Sequence, residues 1–233
     1  MRFVIVSVGN EILSGDISNT NATYMARRLT QKGHRVIRII TVPDSVEDIA
    51  EEVDRARRMA DFVLVTGGLG ATHDDVTTEG IARALGKKLK LYEDIFESLR
   101  RKYPEANEEA LRKVCTFPEG SEVIENDVGV APGYVVENVA VMPGVPAEME
   151  DVFEKILPRF GERDYYETTL RVEGYEERIL NQLNEVVKEF EDVQIGSYPK
   201  PGYVIIKFSG RDRERVEMAK RRLEELLKSS SKG

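Results

Sequence analysis

The sequence predicts an α/β protein: a three-layer, doubly wound, mostly parallel sheet over residues 1–164, followed by a small α+β domain over residues 165–228. Three observations predict it. Largely apolar, β-rich runs recur at residues 3–8, 36–42 and 62–66, as strands covered on both faces require. Segments of helical period separate them, which is the pattern of right-handed crossovers between parallel strands. After Asp164 the pattern shortens to β-α-β-β-α, and a chain of 233 residues has room for one large core and such a satellite.

Each element has its own signal. After the first strand, Ala22, Met25, Ala26 and Leu29 fall on one helical face, and Gly33 is placed as a C-terminal cap. Val46, Ile49, Val53, Ala56 and Ala60 do the same for the next helix, with Ser45 and Asp48 as a capping-box-like start. A third helix is expected to begin near Thr77 or Thr78. Residues 93–115 read as two short helices parted at Pro104, residues 134–142 as a hairpin turning at Glu137 and Asn138, and Pro146 opens a helix that Pro158 and Gly161 end. In the small domain, strands are expected at 168–172, 193–197 and 203–208, helices at 176–189 and 211–227, and a solvated tail at SSSKG.

Composition narrows the function classes. With 41% apolar and 33% charged residues of both signs interleaved, the chain is not a disordered one. No apolar run approaches the roughly 20 residues of a membrane span. The first strand breaks at Gly9 and Asn10 without a signal-peptide cleavage pattern, so a cytoplasmic protein with no membrane partner is expected. The single Cys115 rules out an intrachain disulfide or a Cys-rich zinc site and is expected to be a buried thiol. His34 and His73 are the only histidines, which favours oxygen over nitrogen ligation for any metal. The net charge of −8 sits in the first part: residues 1–164 hold 21 Lys and Arg against 29 Asp and Glu, and residues 165–233 hold 13 of each. Such a surface repels a nucleic-acid backbone, so no nucleic-acid partner is expected.

Ligands of doubly wound sheets sit outside the carboxyl ends of the strands. Three segments fall there. In TGGLGATHDDVTT (66–78), Gly67, Gly68 and Gly70 allow backbone N–H groups to turn toward an anion ahead of a helix N-terminus; a tight strand-to-helix corner is the alternative. Asp74 and Asp75 beside such a nest would repel a phosphate unless a divalent cation lies between them, or else one of them caps the following helix. His73 is read as a surface-loop residue, with proton transfer beside the aspartates as the alternative. The first loop, GNEILSGDISNTN (9–21), carries Asn10, Glu11, Ser14, Asp16, Asn19 and Asn21, with helix capping by Asn19 or Thr20 as the alternative to ligand contact. In VMPGVPAEM (141–149), Pro143 and Pro146 stiffen a turn around Gly144. The charged runs RRKYPEANEEALRK and RDRERVEMAKRR read as solvated helix faces.

GNEILSGDISNTNA, TGGLGATHDDVTTE, PEGSEVIENDVGVAPGY and MPGVPAEM stand in the order and spacing of the N-terminal domain of the CinA family. That domain is similar in fold to the molybdopterin-binding domains of MoaB, MogA and gephyrin. The resemblance covers about residues 1–160, and GVP followed by AEM looks like CinA more than the MoaB and MogA branch, which tends to carry PGSP. The small domain resembles the KH-like middle region of CinA proteins, and the C-terminal amidohydrolase domain of longer members has no counterpart in this sequence. Ala71 stands where members often carry proline, and Asn10 stands where they often carry threonine or aspartate.

The resemblance implies a metal-dependent pyrophosphatase that cleaves ADP-ribose-like dinucleotides to AMP and a sugar phosphate. Its site would be the following. Gly67, Gly68, Gly70 and Thr72, with Ser14, Asn19, Asn21, Pro143 and Gly144, would bind phosphate and nucleotide. Asp16, Asp74 and Asp75 would hold magnesium, manganese or cobalt, and Asp74, Asp75 and Glu11 would carry the chemistry, Glu11 as a base. The alternative is a molybdopterin-binding or adenylyltransferase-type protein of molybdenum cofactor biosynthesis using the same pocket, and a further one is a non-catalytic nucleotide or pterin module. RNA binding through the KH-like part is disfavoured by its neutral charge and by the absence of a clear GXXG clamp. The resemblance also implies a homo-oligomer, a dimer or trimer.

Overall fold

The computed structural model describes residues 1–230. The chain divides into two compact units, Met1–Thr30 with His34–Gly161, and Gln31–Gly33 with the chain from Glu162. The first unit runs β1 (Arg2–Val8), α1 (Asn10–Leu13), α2 (Thr20–Gln31), β2 (Arg35–Val42), α3 (Val46–Met59), β3 (Phe62–Thr66) and α4 (Thr77–Leu85). It continues through β4 (Leu89–Leu91), α5 (Glu93–Lys102), α6 (Glu108–Val114), β5 (Thr116–Pro118), β6 (Glu122–Ile124), β7 (Gly133–Val136), β8 (Val139–Met142) and α7 (Pro146–Ile156).

Its main sheet has the order β2-β1-β3-β8-β7-β6. The first four strands are parallel, and β7 and β6 continue antiparallel, so the sheet is mostly parallel as the sequence predicts. Successive residues of β1 enter opposite cores. Val4, Val6 and Val8 pack with Val63 and Val65 against Ile49, Val53 and Ile81 of α3 and α4. Phe3 and Ile5 pack with Leu64 against Met25 and Leu29 of α2 and Phe153 and Ile156 of α7. Covering both faces explains why β1 and β3 read as continuous apolar runs rather than as alternation, whereas β2, expected to be covered on both faces too, lies at the sheet edge and is buried only at Val42.

Ser45 caps α3 by accepting from the Asp48 N–H at 3.3 Å, and the β7–β8 hairpin turns at Glu137 and Asn138 with Val136 paired to Val139. Elements of three residues, β4, β5 and β6, carry too little pattern for the sequence to announce. The first loop contains a single helical turn, α1, where an irregular loop is expected.

The second unit contains β9 (Tyr166–Glu173), a 3-10 turn (Glu176–Ile179), α8 (Leu180–Glu189), β10 (Gln194–Lys200), β11 (Tyr203–Gly210) and α9 (Arg213–Ser230). The strands form an antiparallel sheet of order β10-β11-β9, whose inner face packs Val204, Ile206 and Phe208 against Val186, Val216 and Leu223. The tail expected at SSSKG is helical through Ser230, and its last three residues lie outside the described residues. No described helix is long and apolar enough to cross a membrane.

Candidate functional site

Strands β1, β3 and β8 are parallel neighbours, so their carboxyl ends deliver residues 9–21, 67–76 and 143–146 to one edge of the sheet. Chain order reverses at β1, which has β2 on one side and β3 on the other, and a crevice forms at such a switch point. There the three segments line a cleft of about 760 Å³.

The glycine loop divides its labour differently from expectation. Gly67 continues the sheet: its N–H donates to the Met142 carbonyl at 3.1 Å, so it is not an amide available to a phosphate. Thr77 then closes the loop on α4, its hydroxyl donating to Gly67 O at 2.8 Å and its N–H to Gly68 O at 3.2 Å. Among the described residues no partner takes the N–H groups of Gly68, Leu69, Gly70 or Ala71, and all four residues line the cleft. Such a strip of unfilled donors is what an anion site needs.

The acid pair lies at the end of that strip. Asp75 Oδ2 accepts from the Thr72 N–H at 2.9 Å and lies 2.5 Å from Thr72 Oγ1, while Asp74 Oδ1 lies 2.6 Å from the same hydroxyl. Neither aspartate caps α4, whose N-cap Val76 has no side-chain cap bond, so the capping alternative is set aside. The Thr72 hydroxyl, with help from backbone N–H, holds the Asp74 carboxyl below the usual carboxylate range. One hydroxyl proton cannot satisfy two carboxylates at once. The donor set therefore fits a hard cation of the magnesium type, which takes one or two carboxylates and fills its shell with phosphate oxygens and water. It does not fit a ready-made cage, because no three His, Cys, Asp or Glu among the described residues converge to ligand spacing.

Asp16 does not join the pair, contrary to the expected three-aspartate set. It accepts from Ser14 Oγ at 2.6 Å, and both residues lie outside the cleft lining, held by the short turn that α1 imposes. Glu11, on α1, does line the cleft. Asn19 lines it too but acts as a helix cap, its Oδ1 accepting from the Ala22 N–H at 3.1 Å, with Ser7 Oγ bound to the same side chain. Asn21 is buried and ties loops together: Nδ2 donates to Thr66 Oγ1 (3.0 Å) and to Gly144 O (2.8 Å), and Thr66 Oγ1 in turn donates to Pro143 O (2.7 Å). Pro143 and Gly144 line the cleft, fixed by these bonds. His73 projects into solvent, with its side chain 97% exposed.

Sequence reasoning misses three contributors. Asp44 lines the cleft and accepts from the Asn10 N–H at 2.8 Å, anchoring α1. Glu148 lines it from the first turn of α7, held by buried Asn126 at 2.7 Å. Ala106, Ala110, Leu111 and Val114, inside or next to a run read as a solvated helix face, form an apolar wall. The signal for Asn126 was present as the turn sequence Asn-Asp-Val-Gly, a side chain that bonds its own following backbone. Glu11, Asp44, Asp74, Asp75 and Glu148 all line the cleft, and among the described residues no Lys or Arg does, although the Lys113 ammonium lies beside the acid pair, donating to the Thr72 carbonyl.

Fold and cleft together define an α/β domain whose cleft sets a strip of open backbone amides beside an acid pair. The chain belongs to the family described as a probable molybdopterin binding domain, whose model matches residues 4–162, and it is CinA-like within it. Residues 164–232 match the FAD synthase middle domain, a likeness the KH-like expectation did not include. The chain is 62% identical over 227 residues to a protein of Archaeoglobus fulgidus, covering 97% of this chain and 98% of that protein. It is 40% identical over 212 residues to a protein of Pyrococcus horikoshii, covering 84% and 83%. A solved structure of the protein CinA, of unknown function, from Thermoplasma acidophilum is 36% identical, covers 68% of this chain and 96% of its own, and superposes with a TM-score of 0.64.

Proposed function

We propose that the cleft binds a phosphorylated pterin of the molybdopterin class, its phosphate on the amides of Gly68, Leu69, Gly70 and Ala71, with a divalent cation between that phosphate and the Asp74–Asp75 pair. The reading rests on four open amides beside an acid pair in a cleft lined by five carboxylates. The amides can hold phosphate oxygens, but the surrounding carboxylates repel them. At about 4 Å two unit charges interact by roughly 4 kcal/mol at the effective dielectric of a protein site, so a cation between phosphate and acid pair turns that repulsion into attraction. The volume of about 760 Å³ suits a ligand of that size. Titration with 6-hydroxymethylpterin pyrophosphate, with magnesium and with EDTA, tests this. Binding that needs the cation and weakens at least tenfold in Asp75→Ala supports it, and equal binding in EDTA overturns it.

A second reading is favoured by the match of residues 164–232 to the FAD synthase middle domain, since FAD is a dinucleotide joined by a pyrophosphate. On that reading the same cleft hydrolyses ADP-ribose-like dinucleotides to AMP and a sugar phosphate. The cation, when bound, polarises the phosphorus. Glu11 would accept the proton of the attacking water, and the loop amides would hold the oxygens on which charge develops. AMP release from ADP-ribose with magnesium, manganese or cobalt, lost in Asp75→Ala and in EDTA, would make the protein a hydrolase; no release with ligand binding intact leaves it a pterin-binding protein.

A further inference from the structure

The loop between β6 and β7 is organised by one buried side chain. Asn126 uses its full hydrogen-bonding capacity: Oδ1 accepts from the N–H groups of Val128 (3.0 Å) and Gly129 (2.9 Å), while Nδ2 donates to Ala131 O (2.9 Å) and to Glu148 Oε2 (2.7 Å). Two donors on one end and two acceptors on the other fix which way the amide faces. Glu148 is therefore held as an acceptor. Its carboxylate lies over Gly129, where a Cβ would stand 2.2 Å from Cδ, so the loop leaves the space that the carboxylate fills. No ion pair engages Glu148 among the described residues. The cleft lining also includes the apolar residues Val130, Ala131, Val145 and Pro146, against which a flat ring could lie.

We infer that Glu148, positioned by Asn126, is the specificity-determining residue of the cleft, reading the edge of a fused 2-amino-4-oxopyrimidine ring of the kind found in pterin and guanine. The inference rests on the pterin reading proposed above and adds the group that recognises the ring. A carboxylate offers acceptors only. The 2-amino-4-oxopyrimidine edge presents two adjacent donors, a ring N–H and an exocyclic amino group, which a carboxylate takes as a pair. An adenine edge presents one amino donor beside a ring-nitrogen acceptor, and that acceptor would face a carboxylate oxygen. A flavin ring presents a single N–H flanked by carbonyls, which repel the carboxylate on both sides. Sites built around a matched polar pair reject the mismatched ring because a buried group is left without its partner.

Glu148 also sits in the first turn of α7, where any acid steadies the helix N-terminus, and the test must separate that role from recognition. Equilibrium binding with magnesium present should compare three diphosphates that differ in their ring: 6-hydroxymethylpterin pyrophosphate, GDP and ADP. Wild type should bind the pterin compound, GDP or both at least tenfold more tightly than ADP, and the tighter of the two identifies the source of the ring. Glu148→Gln keeps the size of the side chain but pairs one acceptor with one donor, which matches adenine. The preference should shrink at least tenfold or invert. Gly129→Ala, which displaces the carboxylate and leaves the charge on α7, should narrow the preference in the same direction. Equal binding of all three by wild type, a preference for ADP, or a parallel loss of all three in Glu148→Gln overturns the inference and leaves the cleft reading in place. Failure of all three to bind wild type removes the cleft reading and the inference with it.

Discussion

The Asp75 carboxylate rests against Gly70: a Cβ at position 70 would stand 2.5 Å from Oδ2 and 3.0 Å from Cγ. The atoms it would meet belong to the end of a side chain, and the backbone of Gly70 needs no left-handed φ. Gly70→Ala should therefore leave the fold nearly as stable, within about 0.5 kcal/mol as for surface substitutions, and push Asp75 off Thr72. The expected outcome is a melting temperature close to wild type with a loss of cation-dependent pterin-phosphate binding of at least tenfold. Unchanged binding would show that the position of Asp75 does not matter to the ligand.

Gly67 makes the opposite case from an equally short contact. A Cβ there would lie 2.2 Å from the Val8 carbonyl oxygen, which is backbone in the central strand, and φ is +105°. Neither atom can move without parting β1 from β3. Gly67→Ala should cost about 2 kcal/mol or more, from backbone strain of about 1–3 kcal/mol and the added clash. At about 2–4 °C per kcal/mol for a chain of this size, the melting temperature should fall by at least roughly 4 °C. Calorimetry on the two alanine variants side by side would distinguish a glycine that shapes the sheet from one that seats a carboxylate.

That distinction shows what could be read in the sequence and what could not. The sheet was legible because strands buried on both faces leave long apolar runs such as residues 3–8, and because Ser45 and Pro146 mark helix starts by local chemistry. The TGGLG segment was legible as a glycine loop, but which glycine offers an amide depends on the Met142 carbonyl, 75 residues downstream of Gly67, and no local pattern records that bond. The structural role of Asn21 was hidden for the same reason: it lines the cleft, but its partners Thr66 and Gly144 come from other strand ends. Asp16 looked like a metal ligand because it is acidic and near, while the turn of α1 aims it at Ser14 instead. Asn126 and Glu148 become a pair only when β6, β7 and α7 assemble.

Thr66 should prove to be the hinge pin of the third cleft segment. Its hydroxyl accepts from Asn21 and donates to Pro143, joining α2, β3 and the turn after β8 in one buried chain of hydrogen bonds. Thr66→Val keeps the shape but strands a carbonyl and an amide hydrogen, and each buried group left unsatisfied costs about 1–3 kcal/mol. Denaturant unfolding should show a loss in that range. Pterin-phosphate affinity should fall as well, because Pro143 and Gly144 lose their anchor. A stable variant with normal affinity would show that the turn holds its place without Thr66.

Cys115 is the thiol that pH should reveal. It is fully buried with Phe96, Leu111 and Val114, and burial pushes its pKa from 9.0 up to about 11. Between those values the unfolded chain loses its thiol proton and the folded chain keeps it, so unfolding becomes more favourable as pH rises. The stabilising difference is whole below pH 9 and disappears as pH climbs through about 11. At 1.36 kcal/mol per unit, this residue should account for a loss on the order of 2 kcal/mol. Cys115→Ala is expected to be less stable at neutral pH because it leaves a small cavity, and to close the gap with wild type as pH rises from 9 to 11. The same burial predicts that a thiol reagent such as dithionitrobenzoate titrates no cysteine in the native protein at pH 8 and one per chain in denaturant. A gap between the two proteins that stays constant with pH, or a thiol that reacts in the folded state, would mean that the core around Phe96 opens to water.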